Sequence, residues 1–349
     1  MIRSRAATRF DAIIVGAGPA GLQVGSELAR HGLQVVVFDP RAGTPVPQAA
    51  HVHVLPDETW GAMCRVLPQL DQVTRQHGAP VAPSGAAMLD SELSGHPHAW
   101  PDRHQLDRSM YECATRRAAL RVERSRATSI VRRGGFWCVA GCRARWLIDA
   151  SGSSRTTLRS ASRLGSIEWL EWGDRRGYAS LVLGGIEWPE DRVGHGWRAT
   201  DGGLVVRNIG GQRMRATLQM KGVDDMPTTP AGFLEWIRHI VPASVSGWIA
   251  RGSPESAVRT WKCRRSSSIL GDAHLRAAGW MAVGDALLTT APHQGQGLTQ
   301  IAAQLALVLD VLGSGRGLGA VAERLGEWAE QRVIAATLSE QLDCSDPAA

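Results

Sequence analysis

The chain has 349 residues, 44% of them hydrophobic, and a formal net charge of +6. This length accommodates two lobes with sizeable cores, and no uninterrupted apolar run is long enough to span a membrane. The positive charge is nearly all arginine, Lys221 and Lys262 being the only lysines; its short clusters are not interleaved with aromatics, so no nucleic-acid surface is expected.

Residues 1–10 hold three arginines and no apolar stretch, so no secretory leader is expected. Residues 11–15 read as an apolar strand. Gly16, Gly18 and Gly21 then form a turn, through Pro19 and Ala20, into a helix predicted over about 22–31. Gly32 ends that helix, and a second strand, 35–38, closes on Asp39 and Pro40. The acid stands 18 residues after the third glycine. Strand, glycine turn, helix, strand and acid together form a dinucleotide-binding β-α-β unit. In such a unit the glycines allow the tight turn and the approach of a pyrophosphate, and Asp39 binds ribose hydroxyls.

A Pro-rich connection, 44–50, leads to helical stretches that run to residue 76. Residues 78–100 are rich in Gly, Pro and Ser and are expected to leave the nucleotide lobe briefly. A helix is predicted over 105–119, strands over 122–132 and 136–140, and a strand from Arg145 to Asp149 running into a Gly/Ser turn. From 165 to 263 the pattern changes to strands (179–183, 204–208, 214–220) and two short helices (231–240, 243–250). Seven of the thirteen tryptophans lie in this stretch; core packing accounts for most of them, and one or two are expected to line an apolar or aromatic-binding pocket.

The most informative segment comes last. An apolar strand ends in Gly284-Asp285, which places a carboxylate at a sheet edge where it can accept hydrogen bonds from a ribitol chain. Five residues separate Ala286 from Pro292, which opens a Pro-x-x-Gly-Gln-Gly run, with Gly295, Gln296 and Gly297. This run precedes an apolar helix from Leu298 to Leu312. Glycine amides at a helix N-terminus favour negative charge, which a reduced isoalloxazine presents on its pyrimidine side. The pair of motifs reads as FAD. A second closing helix spans roughly 317–341.

These residues resemble the class A flavoprotein monooxygenases, the hydroxybenzoate hydroxylase type. The likeness rests on the opening glycine turn, on Leu147-Ile148-Asp149-Ala150-Ser151-Gly152 and on Gly284-Asp285. Closer still is the subgroup around squalene epoxidase and the bacterial polyether epoxidases. Its Pro-Gln-Gly-x-His-x-His-x-Leu segment compares with residues 47–55 here, which carry His51 and His53, with Ala49 in place of the glycine. The resemblance implies an α/β, doubly wound FAD-binding domain of the glutathione reductase type with an inserted α+β substrate domain. The FAD domain is expected over 1–77, 101–164 and 264–349, and the substrate domain over 78–100 and 165–263. It also implies cofactor contacts from Pro40, Arg41, His53, Arg103 and Ala127, beside those of the glycine, Asp285 and 292–298 segments. Ser151 stands where the hydroxylases carry an aspartate linked to NAD(P)H use. Two electron sources are therefore open, NAD(P)H itself or a separate flavin reductase, and the second is favoured.

The implied chemistry is transfer of oxygen from O2, through a flavin C4a-hydroperoxide, to a small apolar or aromatic substrate in specialised metabolism. It needs positioning and exclusion of water more than a protein nucleophile, and no Gly-x-Ser-x-Gly elbow is present. No catalytic residue is assigned; Pro292 and His293 are candidates for a place beside the flavin, and for His293 a solvent-facing loop position is an equal reading. His51 and His53 lack a third ligand, so no metal is expected. For Arg207 and Asn208 the two readings are orientation of a polar substrate group and, more commonly for arginine, surface salt bridging. The six cysteines form no Cys-x-x-Cys pair, which points to a reducing, cytoplasmic setting. Alternatives are a reductase of the geranylgeranyl-reductase type, an oxygenase acting on a residue such as Trp in a partner protein, and a flavin-binding module without turnover. A halogenase is disfavoured by the lack of a Trp-x-Trp-x-Ile-Pro segment and the scarcity of lysine.

Overall fold

Apolar residues on consecutive positions, as in Ala12-Ile13-Ile14-Val15 and Val35-Val36-Val37-Phe38, mark strands covered on both faces. In the computed structural model they are β1 (Thr8–Val15) and β2 (Val35–Phe38), joined by α1 (Pro19–Arg30). The structure describes residues 7–343 apart from 45, 54, 83–86, 89–90, 93–97, 100, 174, 189–193, 200–201, 223, 264, 271 and 291–295. Helix α1 starts three residues before the predicted position, because Pro19 supplies a helical φ at the first turn.

Next come α2 (Asp57–Val66), α3 (Leu70–Gln76) and four two-residue strands, β3 (Val81–Ala82), β4 (Ala87–Met88), β5 (Ser91–Glu92) and β6 (His98–Ala99). Helix α4 (Arg103–Thr115) begins earlier than predicted because Asp102 and Gln105 form a reciprocal capping box. The single strand expected over 122–132 is two strands, β7 (Leu120–Glu123) and β8 (Val131–Arg133). Pairing with β2 stops at Phe38 and Glu123, so β7 ends there and the chain loops to a hairpin of β8 with β9 (Phe136–Val139).

Strand β10 (Cys142–Asp149) is shared between neighbours. Its first half pairs antiparallel with β9, its last three residues pair parallel with β19 (Trp280–Ala282), and its other edge pairs with β1. The resulting sheet has order β7-β2-β1-β10, with β19 and β9-β8 beyond β10. Its parallel strands all end at one edge, where Gly16, Ala150 and Val283 follow.

Between them run α5 (Leu158–Ala161), β11 (Glu168–Trp172), β12 (Arg176–Gly184), β13 (Gly194–Ala199), β14 (Gly202–Asn208) and β15 (Arg213–Lys221). After these come α6 (Pro230–Ile240), α7 (Ala243–Ile249), β16 (Ser253–Pro254), β17 (Arg259–Lys262), β18 (Ser266–Leu270) and α8 (Ala273–Ala277). The chain closes with β20 (Leu288–Thr289), α9 (Gln296–Gly313) and α10 (Leu318–Asp343). An antiparallel sheet of order β13-β14-β15-β12-β16, with β17 also on β12, forms the second layer system, and β11-β18-β20 a third.

Two apolar cores result. One surrounds the parallel sheet and includes α9 and α10; the other lies between the antiparallel sheet and α6 and α7. The antiparallel strands divide by period two. Ala179, Leu181, Leu204, Val206, Ala216 and Leu218 join Phe233 and Ile237 in the second core. Their alternates Ser180, Arg207, Arg215 and Thr217 are buried on the opposite face. No helix among the described residues is long and apolar enough to cross a membrane.

Candidate cofactor site

The first, middle and last motifs meet where β1, β10 and β19 end. Gly16 has φ +111°, and a Cβ there would stand 2.3 Å from the Ala150 carbonyl oxygen. A Cβ on Gly21 would stand 1.9 Å from the Gly16 oxygen. These two glycines are required by backbone packing within the protein. Gly18 differs: a Cβ there meets nothing within 4 Å, and as N-cap of α1 it provides no side-chain cap. Space is thus open beside Gly18, at a helix end whose first amides have no partner within the helix, a fit for a pyrophosphate. Ala20 is buried behind it, against Gly284.

Asp39, half-buried at the end of β2, accepts from the amides of Ala17 and Arg41, both at 2.8 Å. The carboxylate is thus fixed beside the glycine turn with lone pairs to spare for hydroxyls. Pro40 and Arg41 are exposed beyond it, and Ala127 is half-buried in the loop after β7.

The predicted strand into Gly284-Asp285 ends at Ala282, and Gly284–Ala286 is a 3-10 turn. Gly284 has φ +62°, and its amide donates to Gln304 Oε1 of α9 at 2.6 Å. That turn, rather than a strand, presents Asp285. No hydrogen bond reaches the Asp285 carboxylate among the described residues. Burial pushes its pKa above the usual carboxylate value, opposed by Arg103 and Arg155. A half-buried acid with free acceptors fits the hydroxyls of a ribityl chain.

Arg103 at the start of α4 is held by Asp107 at 2.7 Å. Arg155, outside the sequence motifs, is buried with φ +45°. It donates to Ala286 O at 2.9 Å, Ser267 O at 3.1 Å and Ser267 Oγ at 2.9 Å. Its only local signal was an arginine directly after a Gly/Ser turn.

Helix α9 starts at Gln296, with Gly297 half-buried and Leu298 buried. Pro292, His293 and Gly295 lie outside the described residues. The middle motif is closed on itself. Asp149 is fully buried and accepts from Ser151 N and Oγ at 3.0 and 2.6 Å and from Thr157 N and Oγ1 at 2.8 and 2.7 Å. Ser151 therefore serves the turn.

The segment with the two histidines is clasped by the inner face of the antiparallel sheet. His51 Nδ1 lies 2.8 Å from Ser180 Oγ, which lies 2.6 Å from Thr217 Oγ1; Val52 N donates to Thr217 Oγ1 at 2.9 Å. The His51 ring packs 6.3 Å from Tyr178 and 5.9 Å from Trp261, with Tyr178 and Trp261 5.8 Å apart. His53 Nε2 donates to Gln48 O at 2.8 Å. Burial pushes His51 down to about 4 and His53 to about 3, Arg215 adding to the first and Arg103 to the second. Arg207 donates to His53 O at 3.2 Å and Arg215 to Ala49 O at 3.1 Å. The surface role favoured for Arg207 is thus wrong: its strand faces the 47–53 segment, and burial lowers its pKa to about 9. Asn208 accepts from Gly210 N at 2.8 Å and shapes the β14–β15 turn.

The family model described as lycopene cyclase protein matches residues 11–166, under half of the chain. None of the curated proteins matches in sequence. Among solved structures, the flavin-dependent brominase Bmp2 is 17% identical with a TM-score of 0.72, over 95% of this chain and 87% of that one. The myxobacterial chondrochloren halogenase CndH is 18% identical with a TM-score of 0.67, over 93% and 79%. The anhydrotetracycline hydroxylase OxyS from Streptomyces rimosus is 17% identical with a TM-score of 0.62, over 95% and 67%. The fold is that of FAD-dependent halogenases and hydroxylases. The neighbours do not single out the epoxidase-like subgroup.

Proposed function

We propose that this chain is an FAD-dependent monooxygenase that hydroxylates or epoxidises a small apolar or aromatic molecule. The observation that carries the reading is the convergence of an uncapped α1 end at Gly18, the fixed acid Asp39 and the uncommitted carboxylate Asp285. Gly18 and its neighbouring amides would hold the pyrophosphate, Asp39 the adenosine ribose and Asp285 the ribityl chain. Gly297 and Leu298 at the start of α9, with His53 and Arg103, would lie beside the isoalloxazine. Bound flavin supplies the redox chemistry, passing one atom of dioxygen to an alkene or electron-rich ring.

The chain's own residues do the positioning. His51 and His53 stay neutral near pH 7, so neither puts a charge beside the ring system. Tyr178, Trp261 and His51 form an aromatic wall that excludes water and suits a flat apolar substrate. The two cores support an FAD domain over 1–77, 101–164 and 264–349 and the 165–263 part of a substrate domain; the 78–100 part of that domain rests on the sequence pattern, Ala79 lying in the first core. The 47–55 segment supports kinship with the epoxidase-like subgroup, and the cysteine pattern a cytoplasmic setting. Lys221 and Lys262 are both exposed, on strands of the antiparallel sheet, which favours oxygenation over halogenation. The family match ends at residue 166 and includes none of that sheet, so its name carries no substrate.

Anaerobic reduction followed by rapid mixing with oxygen tests the reading. A transient spectrum unlike reduced or oxidised flavin is expected, whereas featureless reoxidation would favour the hydride-transferring alternative. Ser151 occupied within its own turn supports a separate flavin reductase as electron donor. Rapid bleaching by NADH or NADPH alone would overturn that assignment.

A further inference from the structure

The parallel sheet has a second indentation, at the edge away from the cofactor motifs. A cleft of about 520 Å³ lies where β1 begins, beside the middle of β10. Four chain segments line it: the start of β1, the β8–β9 hairpin, the middle of β10 and the turn between α8 and β19. Its size is that of a small-molecule site.

Its floor is fixed. The Ala278 carbonyl accepts from Arg132 Nε at 3.0 Å and Trp137 Nε1 at 3.2 Å. Gly279, at φ +77°, lies so close to β10 that a Cβ would stand 2.3 Å from the Arg145 oxygen. The hairpin and the turn are thereby tied to the strand between them.

The lining combines two chemistries. Arg9, Arg132 and Arg145 are exposed along the cleft, while Phe10, Phe136 and Trp146 are half-buried in it. Arg9 and Arg143, cross-strand partners, stand 5.8 and 5.6 Å from the centre of the Phe136 ring. The Arg145 side chain makes no hydrogen bond or ion pair among the described residues. The only acid in the lining, Asp11, already accepts from Gln34 N at 2.8 Å. Three guanidinium groups against one engaged carboxylate produce a positive field in a concave site, where planar donors recognise carboxylate or phosphate. The aromatic walls add a surface on which a ring can stack.

We propose that this cleft is a second ligand site, for a flat aromatic molecule carrying an anionic group, such as a nucleoside monophosphate or an aryl carboxylate. The concavity and the gathering of three arginines on its lining favour one small molecule over an extended polyanion. The site is independent of the flavin reading, since no residue of the cofactor motifs lines it.

Calorimetric titration with AMP and with benzoate tests the proposal, using adenosine and inorganic phosphate as probes that carry only one feature each. The protein is used as purified and again with excess FAD, which occupies the adenosine-binding end of the cofactor site. Saturable binding of AMP or benzoate that persists with FAD is expected. It should weaken at least tenfold in Arg145→Gln and in Phe136→Leu, and exceed binding of adenosine or phosphate. Arg145 is exposed, so its variant should fold, and an unchanged Tm verifies this. Absence of saturable binding by both ring-bearing anions, equal binding in Arg145→Gln, or loss of binding on adding FAD would overturn the proposal.

Discussion

A Cβ placed on Gly284 would lie 2.7 Å from the Cβ of Ala20. The last motif and the first are therefore in direct contact across more than 260 residues of chain, and the contact is possible only with glycine at φ +62°. Gly284→Ala should destabilise the protein by about 1–3 kcal/mol, from strain and the clash together. Gly18→Ala should leave the stability of the cofactor-free protein nearly unchanged, because its Cβ enters open space, yet weaken FAD binding by obstructing the phosphate approach. Thermal unfolding with and without FAD separates the two effects. Equal losses of stability in both variants would contradict these assignments.

Asp285→Asn should lower FAD affinity by roughly one to two decades, from loss of a charge-assisted hydrogen bond of about 1.5–3 kcal/mol. The cofactor-free protein should respond oppositely. The folded pKa of Asp285 lies above the ordinary 3.8, so the folded chain holds this proton more tightly than the unfolded one. Its contribution is full below that value and is lost as pH rises through the raised pKa. At neutral pH the variant should therefore unfold at a higher temperature than the parent, with the difference shrinking on acidification. A variant less stable at every pH would show that Asp285 has a protein partner.

His51 and His53 carry the reverse sign. Their folded pKa values, about 4 and about 3, lie below the ordinary 6.5, so the unfolded chain takes up protons first. Their contribution is present above 6.5 and is lost as pH falls toward those values. Proton NMR should show both rings unshifted from about pH 8 to 5, while stability declines across the lower part of that range. A ring titrating near 6.5 would mean that the 47–53 segment is not clasped as described.

Thr217→Val tests that clasp. It removes the acceptor for Val52 N and a neighbour of Ser180, at nearly constant volume. A loss of about 1–3 kcal/mol is expected from the unsatisfied groups, with altered binding of any ligand packed against His51. Unchanged stability by denaturant unfolding would show that the hydroxyl faces water.

The sequence exposed the β-α-β unit and the closing helices because their signals are local: consecutive apolar residues, glycine spacing, a terminal acid. It misread 122–132, where residues remain strand-like but β2 has no more length to pair with them. Arg207 and Arg155 were illegible for a related reason. Their roles depend on which face of a distant strand meets the 47–53 segment, and on carbonyls of Ala286 and Ser267, more than 100 residues from Arg155. The turn at Gly284 was masked by the apolar run before it, whose pattern does not distinguish a strand's last residue from the 3-10 turn that follows.

The most direct measurement is the identity of the molecule that the purified protein carries. Denaturation followed by mass spectrometry and absorbance of the released ligand should yield FAD, one per chain after reconstitution, and markedly less from Gly18→Leu. Release of FMN or NAD alone, or a protein that takes up no FAD when offered it, would contradict the assignment of Gly18, Asp39 and Asp285 to one cofactor.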